Sequence, residues 1–154
     1  MNLKTEELLK RTFEFAVNVL KLLSKLPRTP IFSVIIYQLA KAATSVGSNY
    51  EESQAAESKN DFIHKIGIVS KESRESHYWL RVLKELLGKK EELKQVDTLI
   101  NEAVQLKKIF TPIKLSAEKK NKIFDGSFPI NHHTSNIKNK RNDYESFNIN
   151  YNSY

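Results

Sequence analysis

Cysteine is absent from the 154-residue chain, which removes disulfides, thiolate chemistry and cysteine-ligated metals together. Any metal would have to be held by His, Asp and Glu. Glycine occurs four times and never in a cluster, so there is no glycine-rich phosphate loop. No nucleophile elbow is found either, and no paired carboxylates in a plausible cleft. Long apolar runs are lacking too. The longest, residues 31–37, is interrupted by Ser33 and falls far short of the length a transmembrane helix needs. The opening Met1-Asn2-Leu3-Lys4-Thr5-Glu6-Glu7 is acidic and has no apolar stretch of the kind a secretory signal carries, nor the basic character of a transit peptide. A cytoplasmic protein without a membrane partner is expected.

What is present has a globular balance, with 40% hydrophobic and 28% charged residues, enough for one core in one domain. The formal net charge of +7 is spread along the chain. Residues 1–118 hold 19 basic and 15 acidic side chains, and residues 119–154 hold 6 and 3. Such an excess permits attraction to phosphate backbones, and it also describes an ordinary solvated surface.

Four segments carry a helical period. Residues 5–26 place Leu9, Phe13, Ala16, Leu20 and Leu23 in one row and Leu8, Phe15, Val19, Leu22 and Leu26 in a second, which predicts a helix with a wide buried face. Pro27-Arg28-Thr29-Pro30 ends it and starts the next, with Thr29 as N-cap and Pro30 in the first turn. The second helix, 30–57, turns Phe32, Ile35, Ile36, Leu39, Ala42, Ala43 and Val46 inward. Its half from Ala42 to Asn49 is nearly free of bulky side chains. Gly47 there predicts close helix packing or a kink, because glycine in a helix costs ~1 kcal/mol relative to alanine. The third helix, 59–87, is capped by Ser58 and stopped by Gly88, with Phe62, Ile66, Ile68 or Val69, Trp79, Val82, Leu83 and Leu86 on its buried side. The fourth, 91–117, carries Leu93, Val96, Leu99, Ile100, Ala103, Leu106, Ile109, Phe110 and Ile113, and Pro112 should kink or fray its last turns. Short connections make neighbours antiparallel. The expected fold is all-α, an up-down four-helix bundle over 1–118. Residues 119–154 hold eight asparagines and no stripe, and are expected to be a mostly disordered tail.

A set of short motifs runs through the first three helices: Phe13-Glu14-Phe15-Ala16, Gln38-Leu39, Thr44-Ser45-Val46-Gly47-Ser48-Asn49, Glu51-Glu52, and Ala55 through Ile63. Lys71-Glu72, Arg74-Glu75 and Tyr78-Trp79-Leu80 complete it. In this order and at these intervals the chain resembles a family of bacterial four-helix bundle proteins, first noticed as products of intervening sequences in 23S ribosomal RNA genes. The resemblance implies an antiparallel bundle that assembles into a homopentamer, with no known enzymatic activity and no cofactor. A related branch serves as accessory protein in diversity-generating retroelements, where a basic pentameric barrel is associated with nucleic acid and a reverse transcriptase. Lys41 and Ala42 depart from the Arg and Ser usual in the family, and the Asn-rich tail is outside its pattern.

Two polar stripes stand out. Gln38, Ser45, Asn49 and Glu52 share a face of the second helix with Ala42. Lys71, Glu75 and Tyr78 share one on the third, with Glu72, Arg74 and Arg81 close by. They read either as a ligand or phosphate site or as groups that satisfy one another across a helix pair or subunit interface. Asp61 and His64 are spaced like half of a bundle metal site, but the second half is missing: three residues before His77 stands Arg74, not an acid. Asp61 is better placed as a helix N-terminal charge. His132-His133 lies in the tail, without a scaffold to fix metal geometry. The tail interleaves Phe124, Phe128, Tyr144, Phe147, Tyr151 and Tyr154 with Lys119, Lys120, Lys122, Lys138, Lys140 and Arg141, a composition suited to stacking on single strands or simply a sticky extension.

Together these features predict a non-enzymatic homo-oligomeric scaffold, pentameric by the resemblance, that binds structured RNA or another nucleic acid. Lys41, Lys65, Lys71, Arg74 and Arg81 are the candidate phosphate contacts. A protein-interaction adaptor without nucleic-acid binding is the alternative.

Overall fold

The computed structural model describes residues 3–88 and 92–124, which form four helices: α1 (Leu3–Leu23), α2 (Pro30–Ser53), α3 (Lys59–Leu87) and α4 (Leu93–Phe124). The turn chemistry sets most of the boundaries. Thr29 is extended and its Oγ1 accepts from the Phe32 N–H at 3.4 Å, with Pro30 in the first turn of α2. Ser58 Oγ accepts from the Asp61 N–H at 3.1 Å, and the Asp61 carboxylate accepts from the Glu57 N–H at 3.3 Å. The two bonds tie down the entry to α3 at its positive end. Gly88 ends α3 at φ 60°, in the region glycine enters most cheaply.

Three helix ends differ from expectation. The first helix stops at Leu23, and Lys25 and Leu26 bond back to the Leu22 and Leu23 carbonyls in a tighter turn. The second ends at Ser53, where Gln54 N–H reaches Glu51 and Glu52 oxygens. The fourth runs through Pro112 to Phe124, beyond the expected end at 117. Proline removes one backbone donor, yet the following segment is rich in strong helix formers. It is further held by a Lys114–Glu118 pair at 3.3 Å and by Asn121 Nδ2 donating to Asn60 Oδ1 at 2.8 Å. Residues 119–124 therefore belong to the bundle rather than the tail. The remaining tail, its aromatics and bases and His132-His133, and the expected start of the fourth helix at Glu91, lie outside the described residues.

Consecutive helices pack against each other, and α1 touches α4 least. Opposed residues give the directions. Arg11 meets Glu102 and Lys25 meets Gln95 across α1/α4. Glu52 meets Lys65 across α2/α3. Ser70 meets Thr111 and Lys84 meets Asp97 across α3/α4. Across α1/α4 and α3/α4 one number rises as the other falls, so these helices are antiparallel. The short connections 24–29 and 54–58 reverse the chain into and out of α2, which makes the bundle up-down-up-down. Phe15, Val19 and Leu22 of α1, Leu39 and Val46 of α2, Ile66, Val69, Leu80 and Leu83 of α3, and Val96, Leu106 and Phe110 of α4 fill its centre. Tyr50 packs edge-on against Phe110 with ring centroids 5.0 Å apart.

The two apolar rows of α1 are not equally inside: the row of Phe15, Val19 and Leu22 is buried, whereas the other is split, with Ala16 and Leu23 buried and Phe13 and Leu20 outside. Phe13 and Leu20 are 67% and 43% exposed, against 2% for Phe15. Leu86, expected inside α3, is 47% exposed, while Leu80 and Leu87 take the core positions. Three serines, Ser70, Ser73 and Ser76, are buried along α3. Ser73 Oγ donates to the Val69 carbonyl at 2.7 Å, whereas the Ser76 hydroxyl has no partner among the described residues. Gly47 sits over α1: a Cβ added there would meet the Thr12 carbonyl oxygen at 3.4 Å, ordinary contact that leaves room for alanine. By length and composition α2 is apolar enough to cross a membrane. Here its inner side, with Leu39, Ala42, Ala43 and Val46 fully buried, is built into the bundle between α1 and α3.

Candidate nucleic-acid interface

Helix α3 lies between α2 and α4 and presents a different charge pattern to each. On the α2 side, Lys65 pairs with Glu52. Glu72, half-buried, is held above its ordinary pKa by burial and by Glu75, with Lys71 and Lys41 opposing the shift. Lys41 therefore lies near a carboxylate. Asn49 Nδ2 donates to the Ser45 carbonyl at 2.9 Å, a bond internal to α2. Gln38 and Ser45 are half-buried on that flank. Glu75 accepts from Trp79 Nε1 at 3.5 Å, and Trp79 meets exposed Tyr78 edge-on at 5.1 Å. Within the polar stripes of α2 and α3, Asn49, Glu52, Glu75 and Tyr78 thus have local partners.

The α4 side is different. Arg74, His77 and Arg81 recur at spacings of three and four, which stacks them on one face of a helix. His77, midway between Ser70 and Lys84, falls opposite Val104, midway between their partners Thr111 and Asp97. Lys107 stands one turn further along α4. His77 is half-buried, and its pKa is lowered from 6.5 by burial, then by Lys107 and Arg81. Both cations are therefore close enough for their fields to reach the imidazole. Arg74, Arg81 and Lys107 make no ion pair among the described residues. The ends of the same groove are neutralised, by Lys84–Asp97 at 2.7 Å and Lys114–Glu118 at 3.3 Å. Its centre is not. Glu102, the other α4 acid nearby in sequence, turns to α1 and binds Arg11 through two bonds of 2.5 and 3.0 Å.

The five predicted phosphate contacts thus divide. Arg74 and Arg81 share the α3/α4 groove, Lys71 is exposed one turn before Arg74 and within the field of Glu72, and Lys41 and Lys65 belong to the α2 side next to carboxylates. Lys107 is not among the five. The sequence does hold a signal for it, since neither Ala103, Val104, Phe110 nor Thr111 offers a carboxylate three or four residues away.

Residues 4–111 match the family described as 23S rRNA-intervening sequence protein. The chain belongs to this family. The match extends beyond the motif region of 13–83 to include nearly all of α1 and most of α4. A solved structure is similar to it at 29% identity and a TM-score of 0.64, covering 73% of this chain and 98% of that one. It is a protein of unknown function from the S23 ribosomal protein family of Bacteroides thetaiotaomicron VPI-5482. No functionally curated protein matches. For this family member, no three His, Asp or Glu side chains converge as a metal site among the described residues. A shallow depression of about 500 Å³ lies between Lys25, in the turn after α1, and Glu92, Lys94, Gln95 and Thr98 at the start of α4. The Thr98 hydroxyl there donates to the Lys94 carbonyl at 3.0 Å.

Proposed function

We propose that the protein is a non-enzymatic, homo-oligomeric scaffold that holds structured RNA or another nucleic acid by its phosphate backbone. The observation that carries this reading is the row of Arg74, His77, Arg81 and Lys107 between α3 and α4, a groove whose ion pairs, Lys84–Asp97 and Lys114–Glu118, lie at its ends and leave its centre cationic. Cations left without carboxylates on a rigid groove retain their full attraction for phosphate. Arg74 and Arg81 are seven residues apart, about 10 Å along the helix, far enough to reach different phosphates.

Assembly is supported by a second surface. Phe13 and Leu20 on α1 and Ile31, Val34 and Tyr37 on α2 are 67, 43, 66, 55 and 66% exposed, and between Arg28 and Glu51 the only charged residue is Lys41. An apolar face of this kind, with Lys41 the one charge of its α2 part, suits a second copy of the chain. The pentamer implied by the family resemblance is the assembly we expect, and in it each basic groove would be repeated around a ring, so that weak contacts add. The protein-adaptor alternative would use the same apolar face for a different chain.

Fluorescence anisotropy with structured RNA, single-stranded RNA and duplex DNA at several salt concentrations tests the reading. Binding that weakens steeply with salt supports the scaffold. No binding at low salt rejects it in favour of the adaptor. Native mass spectrometry or light scattering reads the assembly state, and Phe13→Ser with Tyr37→Ser should lower it.

A further inference from the structure

We propose that His77 is the proton-linked member of the α3/α4 groove: a phosphate seated among Arg74, Arg81 and Lys107 is also held by His77 in its imidazolium form, so that nucleic-acid binding takes up a proton. This rests on the phosphate-binding reading of the groove and adds to it a regulation by pH.

The geometry places the imidazole at the middle of the cationic row. Arg74 precedes it by three residues and Arg81 follows by four, on the same face of α3. Across the groove stands α4, which brings Lys107 near the ring and apolar Val104 opposite it by register. The charged groups of α4 on either side are accounted for. Asp97 is engaged by Lys84, Glu102 is turned away to Arg11, and Glu118 is engaged by Lys114. On α3 itself Lys71 lies beyond Arg74, Glu72 and Glu75 face the α2 side, and Glu85, exposed one turn beyond Arg81 and two turns from His77, is in none of the ion pairs of the described residues. No carboxylate therefore competes for the imidazolium, and two cations disfavour it.

That environment makes the empty groove and the occupied groove opposite in their effect on one proton. Without an anion, His77 is half-buried beside like charges and is held neutral to lower pH than an ordinary histidine. A phosphodiester between Arg74, Arg81 and Lys107 replaces net repulsion with attraction, and the imidazolium can then donate to a phosphate oxygen. By linkage, a group protonated more readily in the complex than in the free protein makes binding tighten as pH falls, by up to tenfold per pH unit for a single proton. Salt would weaken the binding and acid would strengthen it, through the same few side chains.

The test uses the full chain and an oligouridylate carrying a rhodamine label, because uracil does not titrate in the range where histidine does. Its affinity should rise roughly three- to tenfold per pH unit on acidification below neutrality. His77→Gln should lose this dependence while retaining salt-sensitive binding at neutral pH. His77→Arg should bind tightly and independently of pH. The His77 ring resonances, followed by NMR, should titrate below the ordinary histidine value in the free protein and move up when the oligonucleotide is added. Equal pH dependence in wild type and His77→Gln would place the proton elsewhere and overturn the proposal. So would a flat wild-type profile in a protein whose salt-sensitive binding is still abolished by Arg74→Ala with Arg81→Ala, an outcome that leaves the phosphate groove standing. Salt-sensitive binding absent at every pH would instead remove the groove reading and this inference with it.

Discussion

The two flanks of α3 are built from one helix and share one core, yet they treat charge in opposite ways. Toward α2, Lys65 has Glu52, Lys41 has Glu72 nearby, and Trp79 donates to Glu75. Toward α4, the groove is neutralised only at its ends, and Arg74, Arg81 and Lys107 surround a histidine held toward its neutral form. The difference teaches that a charge count along a sequence says little about binding. Lys65 and Arg81 each contribute one positive charge, but one is already engaged by a carboxylate and the other is available. A functional surface on a helical bundle is recognised by which charges remain without partners once the helices are packed.

The largest perturbation would reach both flanks at once. Leu80 is fully buried in the core they share, and Leu80→Ala should lower stability by about 2–5 kcal/mol through the forfeited transfer energy and the cavity left behind. Urea denaturation measures it. A cost below about 1 kcal/mol would mean that the core under α3 is loosely packed, and the two grooves would then not be rigid surfaces to compare.

Charge removal separates the flanks. Replacing Arg74, Arg81 and Lys107 by alanine should reduce the salt slope of nucleic-acid binding by roughly one for each phosphate no longer neutralised, with little change in stability. The same replacement at Lys41 and Lys65 should leave the slope nearly unchanged, since these residues lie beside carboxylates. If the α2-side pair altered the slope as much as the α4-side residues, the contrast would be wrong and the nucleic acid would follow total charge.

A subtler contrast lies in the buried serines. Ser76 leaves its hydroxyl without a partner among the described residues, while Ser73 satisfies its own against Val69. Removing an unsatisfied buried hydroxyl relieves a desolvation cost, so Ser76→Ala should be neutral or stabilising by up to about 1 kcal/mol. Ser73→Ala should be neutral or slightly destabilising. Thermal or urea unfolding of the two variants side by side would show whether the order is reversed.

The smallest effects are in pH dependence, and they have opposite signs on the two flanks. His77 has its folded pKa lowered, so the unfolded chain binds more protons near and below 6.5, and stability should fall as pH drops through that window. Glu72 has its folded pKa raised, so the folded chain binds more protons just above 4.5, and stability should fall as pH rises through that window. His77→Gln should flatten the first slope and Glu72→Gln the second, read from urea midpoints across pH. A first slope unchanged in His77→Gln would show that another group sets it.

Much of the bundle is legible from residues alone, and the reasons are local. Thr29-Pro30, Ser58 with Asp61, and Gly88 each act within a few residues of where they stand, so their roles as caps and stops follow from side-chain reach and backbone preference. The clean stripe of α4 from Leu93 to Ile113 needs only the helical period. The same period cannot choose between the two apolar rows of α1, because Phe13 and Phe15 fit equally well until the direction of α2 and α4 is fixed. Nor does it show that Ser70, Ser73 and Ser76 are buried, since hydroxyl residues at these positions suit a solvent face as readily as a close helix contact. Composition ends α4 too early because it gives no sign of the Asn60–Asn121 bond that joins its last turns to α3.

By itself, then, the sequence determined the number of helices, their caps, most of the core stripe and the family, all set by interactions that repeat every few residues or by motifs carried in order along the chain. Only the tertiary structure decided which charges survive packing without a partner. Arg74, His77 and Arg81 lie on α3 and Lys107 on α4, more than twenty residues further on. Glu102 is withdrawn from them by Arg11 of α1 and Asp97 by Lys84. Electrostatic pairing depends on distance in space, and in a bundle that distance is set by the register of neighbouring helices, a quantity no single helix contains.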